Sequence, residues 1–231
     1  MAIRVKTVKD AALSQGRPVL FPPHPYAQSI CSGFGIELGA AAHNPFELEG
    51  SVNAAPEQFD PVYVQSQIEL CGKYALVDVI CNGHNIPFPT SSVNYCISSH
   101  VIEHFPNPIA GFLEWNRILK DDGIVFMIFP KRDALASDRE RDVSTLEEIV
   151  SVYEKYGDTV IGGSSYDPHV NQKTEDLLAY QHYFVYTRDL MVSLIILCNQ
   201  RFHLHWDIVY TEETDTKVGN GHTVVARKRN A

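Results

Sequence analysis

The sequence predicts an α/β fold, a doubly wound and mostly parallel sheet that ends in an antiparallel hairpin. Apolar strand-like runs alternate with helical patterns at intervals of about 30 residues, the rhythm of parallel βαβ units. The run "IVFMIFP" (124–130) is apolar throughout, as expected for a strand buried on both faces of a sheet. Near the C-terminus, strand-like runs flank the glycine-rich turn "GNG" (219–221), which predicts the hairpin.

Four further segments complete the predicted parallel part of the sheet. Each is a short apolar or β-branched run of the length of a strand. We expect strands in "GFGIELG" (33–39), "GSVNAA" (50–55), "ALVDVI" (75–80) and "VNYCISS" (93–99).

Helices are predicted between these strands from their start and stop signals. A helix is predicted over residues 61–73: Asp60 is its N-cap, Pro61 lies in its first turn, and Gly72 ends the helical pattern. Residues 107–123 begin with Asn107 and Pro108, carry apolar residues at helical spacing, and stop at "DDG".

The second half of the chain is less regular. Ser144 and Glu147 predict a capping box for the helix in "STLEEIVSVYEKYG", and residues 162–176 read as an exposed loop. After Thr187, the run 190–198 predicts a buried helix. No stretch demands a second domain, so we expect one domain over residues 1–231, with residues 131–186 as a lid or substrate insertion.

Composition narrows the function classes. The chain has 231 residues, 45% hydrophobic, and a net charge of −9, which suits one domain and disfavours a nucleic-acid partner. Five cysteines without paired spacing indicate reduced thiols in a cytoplasmic protein. The N-terminus has no apolar signal region, and no apolar run is long enough to cross a bilayer, so no membrane association is expected.

The stretch "SSHVIEHFPNP" contains His100, Glu103 and His104 in the order H-x-x-E-H, which matches an inverted zinc-protease motif. Such a site needs a sustained helix and a third ligand. Here an apolar strand precedes the motif and two prolines follow it, so the helical part can be only one or two turns long. Glu147, Glu148 and Glu175 stay open as third ligands, but we predict no metal and treat the protease as a distant alternative.

Three quoted segments and the terminal hairpin carry a resemblance to a known family. In order, "GIELGAAAHNPF", "ICNGHNIPFPTSSVNYCISSHVIEHFPNP" and "EWNRILKDDGIVFMIFP" resemble the class I S-adenosylmethionine-dependent methyltransferases, specifically the small-molecule "type 11" group. The resemblance covers residues 33–130 and the hairpin. It implies a Rossmann-like methyltransferase fold, S-adenosyl-L-methionine as cofactor, and a small-molecule acceptor that is methylated on oxygen or nitrogen, such as a sugar or natural-product intermediate.

The resemblance also implies a cofactor site along the strand ends. Glu37 and Gly39 match the acid and first glycine of the loop after the first strand, although Ala41 replaces its second glycine. Asn53 stands where the group often has a ribose-binding acid, with Glu57 as a second candidate. The implied cofactor-binding residues are Glu37, Gly39, Ala40, Ala41, Asn53, Asn82, Gly83, His84, Ser98 and Ser99.

Catalysis in this interpretation needs a base for the acceptor proton, and an imidazole titrates near neutral pH. His100, His104 and His182 are the candidates, and for each a structural role stays open. His203 and His205 alternate on a predicted strand and are taken as sheet-surface residues. The lid tyrosines either shape the acceptor pocket or pack ordinarily; they are Tyr153, Tyr156, Tyr166, Tyr180 and Tyr183. Because Ala41 and Asn53 depart from the group, a catalytically degenerate binding module is the main alternative.

Overall fold

The computed structural model describes residue 16 and residues 18–56, 61–158 and 182–230. Within these residues, seven strands form one sheet. They are β1 (Gly35–Leu38), β2 (Ser51–Ala55), β3 (Val79–Ile80), β4 (Val93–Ser99), β5 (Leu119–Pro130), β6 (Trp206–Glu212) and β7 (Gly221–Lys228). The strand order across the sheet is β3-β2-β1-β4-β5-β7-β6.

The predicted fold class is confirmed. Strands β3, β2, β1, β4 and β5 run parallel, whereas β7 pairs antiparallel with both β5 and β6. The strand order reverses between β1 and β4, because the chain builds outward to β3 on one side and to β5 on the other. In such a sheet, ligands bind beyond the carboxyl ends of the strands at this switch point.

The described helices cover the two faces of the sheet. They are α1 (Pro25–Ile30), α2 (Pro61–Cys71), α3 (Pro108–Ile118), α4 (Ala136–Arg139), α5 (Leu146–Tyr156) and α6 (Arg188–Arg201). Successive residues of β5 alternate between two apolar clusters: Val125 and Met127 lie in one, Phe126 and Ile128 in the other. The prediction that this strand is buried on both faces is therefore confirmed. Among the described residues, every helix is too short or too polar to span a bilayer.

The predicted helix over residues 107–123 is right at its start and wrong at its end. The Asn107 side chain accepts a hydrogen bond from the N–H of Ala110, so it caps α3 as expected. The helix ends at Ile118, however, and residues 119–123 already belong to β5. Leu119 is fully buried and pairs with Val93 of β4, so sheet pairing overrides the helical pattern of this segment.

The predicted strand over residues 75–80 is mostly wrong. Only Val79 and Ile80 pair with β2, because side chains bind the backbone around them. The N–H of Ala75 donates to Oε1 of Gln67 (3.0 Å), and the carboxylate of Asp78 accepts from the N–H of Asn53 (2.8 Å). The N–H of Asp78 also donates to the carbonyl oxygen of Asn53 (2.9 Å), so residues just before Val79 follow β2 without forming a regular ladder.

The predicted capping box of α5 lies one residue later than expected. Thr145 is the N-cap, and its side chain and that of Glu148 bond each other's backbone N–H. Ser144 instead accepts a hydrogen bond from the N–H of Val185 (3.0 Å). The cap Asp60, the loop 162–176 and several other predicted residues lie outside the described part of the chain: Glu57, Tyr166, Glu175 and Tyr180.

The prediction that His203 and His205 lie on a strand is wrong. Strand β6 begins at Trp206, and both histidines precede it with positive φ angles of 55° and 57°. Their rings are 6.1 Å apart. The two rings are therefore close because the backbone turns between α6 and β6, and not because the residues alternate along a strand.

Candidate active site

The carboxyl ends of β1 and β4 lie side by side at the switch point, since Leu38 pairs with Ser98. At the end of β1, Gly39 has a φ of +64°, a conformation that glycine adopts without strain. A Cβ there would lie 3.0 Å from Cγ2 of Val101, so the turn passes close to the segment after β4. Neither Ala40 nor Ala41 has a positive φ, so the replacement of the second glycine by Ala41 causes no left-handed backbone strain.

Glu37 is buried at the end of β1 and faces a buried lysine from the β6–β7 connection. Burial raises the pKa of the Glu37 carboxyl to about 7, and the nearby Lys217 acts in the opposite direction. Burial likewise lowers the pKa of the Lys217 ammonium to about 8. Lys217 donates to the carbonyl oxygens of Pro22 (2.9 Å) and Pro45 (2.6 Å), which fixes the position of the ammonium group.

Both polar atoms of the Asn53 side chain on β2 already bond the protein backbone. Its Oδ1 accepts from the N–H of Ala40 (3.0 Å), and its Nδ2 donates to the carbonyl oxygen of Leu76 (2.7 Å). The amide therefore braces the loop after β1 against the segment before β3. The carboxylate of Asp78 accepts a hydrogen bond from the backbone N–H of Asn53, which is a structural role.

The end of β4 supplies two hydroxyl groups. Ser99 accepts a hydrogen bond from Nδ2 of Asn44 (3.1 Å), which ties β4 to the loop after β1. Ser98 is 1% exposed, and its Oγ has no hydrogen-bond partner among the described residues. A buried hydroxyl without a partner is costly, so it indicates a ligand group or water at this position.

The turn after β3 is formed mainly by packing. Asn82 bridges to Asn85, and the carbonyl oxygen of Gly83 accepts from Nε1 of Trp115 (3.0 Å). The ring of His84 lies 4.4 Å from that of Phe105, and burial lowers the pKa of His84 to about 4. His84 is therefore a neutral ring at physiological pH. These contacts account for the turn, and its predicted role in cofactor binding stays a prediction.

Directly after β4, a short 3-10 turn (Ile102–His104) carries the H-x-x-E-H residues, as the two prolines led us to expect. His100 has a φ of +56°, and its Nδ1 lies 3.8 Å from Oε1 of Glu103. Burial lowers the pKa of His100 to about 4, against the opposing effect of Asp215. Burial raises the pKa of Glu103 to about 7, which His182 opposes.

His182 joins this turn from the far end of the predicted lid. Its Nε2 lies 3.9 Å from Oε1 of Glu103, and its ring centroid is 4.9 Å from that of His104. On its other side, Nδ1 of His182 is hydrogen-bonded to the carboxylate of Asp138. We call His100, Glu103, His104 and His182 the histidine–glutamate cluster. The three histidines proposed from sequence therefore do come together.

Two residues of this region escaped the sequence analysis. Asp138 is 2% exposed, and Arg141 contacts it at 3.2 Å while donating to the carbonyl oxygens of His182 (2.7 Å) and Tyr183 (2.9 Å). The run "DRERD" reads as a solvated charged segment, and no local pattern in it indicates that Asp138 is buried. The residue that approaches Glu103 and His104 is His182, whereas Glu148, one of the acids considered as a third ligand, is occupied in a helix cap.

One protein family and several solved structures resemble this chain. A family model described as a methyltransferase domain matches residues 51–127, about a third of the chain. Solved structures with a similar fold include an S-adenosylmethionine-dependent methyltransferase from Methanosarcina mazei (15% identity, 90% of this chain and 99% of that one, TM-score 0.48). Another, from Thermotoga maritima, is described as a possible histamine N-methyltransferase (14% identity, 86% of this chain and 83% of that one, TM-score 0.47). No curated protein sequence matches the chain significantly.

The family match agrees with the class that the motifs predict: residues 51–127 are similar to a methyltransferase domain of the type 11 group, and S-adenosylmethionine is the cofactor of that class. The strand ends fit this cofactor in part. Gly39, the buried Glu37 and the unpaired Ser98 hydroxyl suit its amino-acid and sulfonium portion. The ribose side differs, because no carboxylate stands at Asn53 and its amide is already bonded.

Proposed function

We propose that this chain transfers a methyl group from S-adenosylmethionine to an oxygen or nitrogen of a small-molecule acceptor, such as a sugar or natural-product intermediate, in the cytoplasm. The single observation that carries the proposal is the adjacency of two sets of groups at the end of β4. Glu37, Gly39 and Ser98 suit the donor, and the histidine–glutamate cluster begins two residues after Ser98. The net charge of −9 favours a small acceptor over a nucleic acid.

On the donor side, the residues of this chain bind and orient. The cofactor supplies an activated sulfonium methyl, so the protein mainly aligns donor and acceptor and excludes water. Glu37 is the candidate partner for the cationic amino group, and Gly39 lets the backbone come close. Ala40, Ala41, Asn53, Ser99 and the turn Asn82–His84 would line the rest of the site.

On the acceptor side, the histidine–glutamate cluster would receive the reacting atom and its proton. His100, His104 and His182 surround a carboxyl group that is 1% exposed, which makes this a polar pocket inside an apolar fold. Residues 131–186 would close over it as a lid within a single domain, since His182, Asp138 and Arg141 all come from that segment.

Calorimetry with S-adenosylmethionine tests the proposal. The expected result is binding of one cofactor per chain, followed by methyl transfer to members of a hydroxyl and amine acceptor panel, detected as S-adenosylhomocysteine. Absence of binding at millimolar cofactor would exclude the enzyme and favour the alternative, a methyltransferase-like binding module that has lost catalysis. The H-x-x-E-H protease alternative is tested separately by incubating the protein with casein, which we expect to remain uncleaved.

A further inference from the structure

Glu103, His104 and His182 present their ligand atoms to one point. One carboxylate oxygen and one nitrogen of each imidazole lie within 4.8 Å of one another. Zinc–ligand bonds of about 2.0–2.2 Å put ligand atoms about 3.5 Å apart. A side-chain movement of about 1 Å would therefore close the three groups around an ion.

A second, independent observation comes from Glu103 itself. The residue is 1% exposed, and neither carboxylate oxygen has a hydrogen-bond partner on another described residue. The two nearest imidazole nitrogens, on His100 and His182, lie 3.8 and 3.9 Å away, too far for hydrogen bonds. A buried carboxylate needs compensation by a cation or by donors. The described side chains leave that requirement unmet, and it points to a bound cation.

The surroundings of His182 have the form that metal sites use. A ligating histidine commonly donates its other ring N–H to a carboxylate, which fixes the ring orientation and the tautomer. Here Asp138 bonds Nδ1 of His182, which leaves Nε2 directed at Glu103. Arg141 contacts Asp138 and holds the backbone at His182, while the N–H of Tyr183 donates to the carbonyl oxygen of Glu103 (2.7 Å).

We propose that Glu103, His104 and His182 bind a divalent transition-metal ion such as Zn²⁺, with Asp138 as the outer partner that orients His182. Two imidazoles and one carboxylate suit zinc, iron(II) and manganese(II), and three protein ligands leave a coordination position open. The absence of a long helix argues against the protease motif but not against this site, because the third ligand comes from a segment 78 residues downstream of His104.

The use of the ion in catalysis rests on the proposed function. An acceptor hydroxyl bound at the open position would lose its proton more readily, because the ion stabilises the alkoxide. The proton would pass to His100, the histidine of the cluster that is not a ligand of the ion. The alkoxide oxygen then bonds the methyl carbon as the carbon–sulfur bond breaks, and that electron pair stays on sulfur. The site therefore favours an oxygen acceptor over an amine.

The test is Zn²⁺ binding by the full chain after treatment with a chelator, measured by competition with a chromophoric indicator and by elemental analysis. We expect one ion per chain and a rise in Tm on adding Zn²⁺. Glu103→Gln, His104→Gln and His182→Ala should each abolish that ion. Asp138→Asn, which keeps all three ligands, should weaken binding about 10- to 100-fold. The matched control is His203→Ala, which removes one histidine of the neighbouring pair His203 and His205. This variant should bind Zn²⁺ as the wild type does.

Circular dichroism of metal-free samples separates a lost site from a lost fold. Glu103→Gln should keep the native spectrum with an unchanged or higher metal-free Tm, because it removes an uncompensated buried charge. The proposal is overturned if the wild type binds no Zn²⁺ tightly, or if well-folded Glu103→Gln still binds one equivalent. It is also overturned if His203→Ala removes the ion. Binding of S-adenosylmethionine by the metal-free protein is measured separately. Cofactor binding without Zn²⁺ binding would overturn this inference alone, whereas loss of cofactor binding would overturn the proposed function.

Discussion

The side-chain oxygen of Asn53 accepts a hydrogen bond from the N–H of Ala40 at 3.0 Å, which locks the end of β2 to the loop after β1. The same amide donates to the carbonyl oxygen of Leu76. Asn53 therefore stands where a ribose-binding acid is expected and serves as a brace between two segments of the crevice. An aspartate could make the first of these bonds but not the second.

We predict that Asn53→Asp destabilises the fold by about 1–3 kcal/mol, because it leaves the Leu76 carbonyl without a donor and adds a charge near Asp78. Denaturant unfolding measures the change, and calorimetry should show no gain in cofactor affinity. Asn94→Asp is the matched control, since Asn94 already accepts from Lys120 and should tolerate the charge. Unchanged stability of Asn53→Asp would contradict the bracing role.

We predict that cofactor binding requires Gly39 because a side chain at this position would enter the crevice, and not only because its φ is positive. Gly39→Ala should lower affinity for S-adenosylmethionine at least tenfold, since the added Cβ meets Val101 at 3.0 Å and narrows the crevice. Gly72 also has a positive φ, +77°, but has open space around it. Gly72→Ala should therefore cost a similar 1–2 kcal/mol of stability from backbone strain and leave affinity unchanged. Equal affinity in both variants would be evidence against a cofactor at Gly39.

Glu37 should make stability depend on pH. Its pKa rises from 4.5 in the unfolded chain to about 7 in the folded protein because of burial. The folded state thus holds a proton that the unfolded state releases, so this contribution is complete below pH 4.5 and is lost as pH rises to about 7. Its size is on the order of 3 kcal/mol.

The measurement compares the free energy of unfolding of wild type and Glu37→Gln at pH 5 and pH 7.5. The variant should gain stability relative to wild type at the higher pH. Glu154→Gln, which removes an exposed carboxylate paired with Arg201, should show no such trend. If the free energies of unfolding of wild type and Glu37→Gln change by the same amount between pH 5 and pH 7.5, the pKa of Glu37 is not raised in the folded state.

Lys217 is predicted to hold the pKa of Glu37 lower than burial alone would. Lys217→Met should raise the pKa of the Glu37 carboxyl further, which ¹³C NMR can follow directly. It should also cost about 1–3 kcal/mol, because the Pro22 and Pro45 carbonyl oxygens lose their donor. Lys155→Met, at an exposed lysine on α5, is the control. A Glu37 pKa that stays unchanged in Lys217→Met would show that the two groups do not interact.

By itself, the sequence determined the architecture. The apolar run 124–130, the capped start of α3 at Asn107 and the terminal hairpin each follow from local pattern, because strand burial, helix capping and turn chemistry involve neighbouring residues. The errors arose where distant groups decide local structure. Pairing of Leu119 with Val93 ended α3 early, and the Gln67 and Asp78 side chains shortened β3.

Only the tertiary structure decided the composition of the site. The sequence indicated His100, His104 and His182 as separate candidates, but the burial of Glu103 and its approach to His182 depend on a contact across the lid segment. Asp138 and Lys217 carry no local signal, because their burial is compensated by partners far along the chain: His182 for one, and the Pro22 and Pro45 carbonyls for the other. Local patterns specify elements, whereas the charges buried between elements are set by how those elements pack.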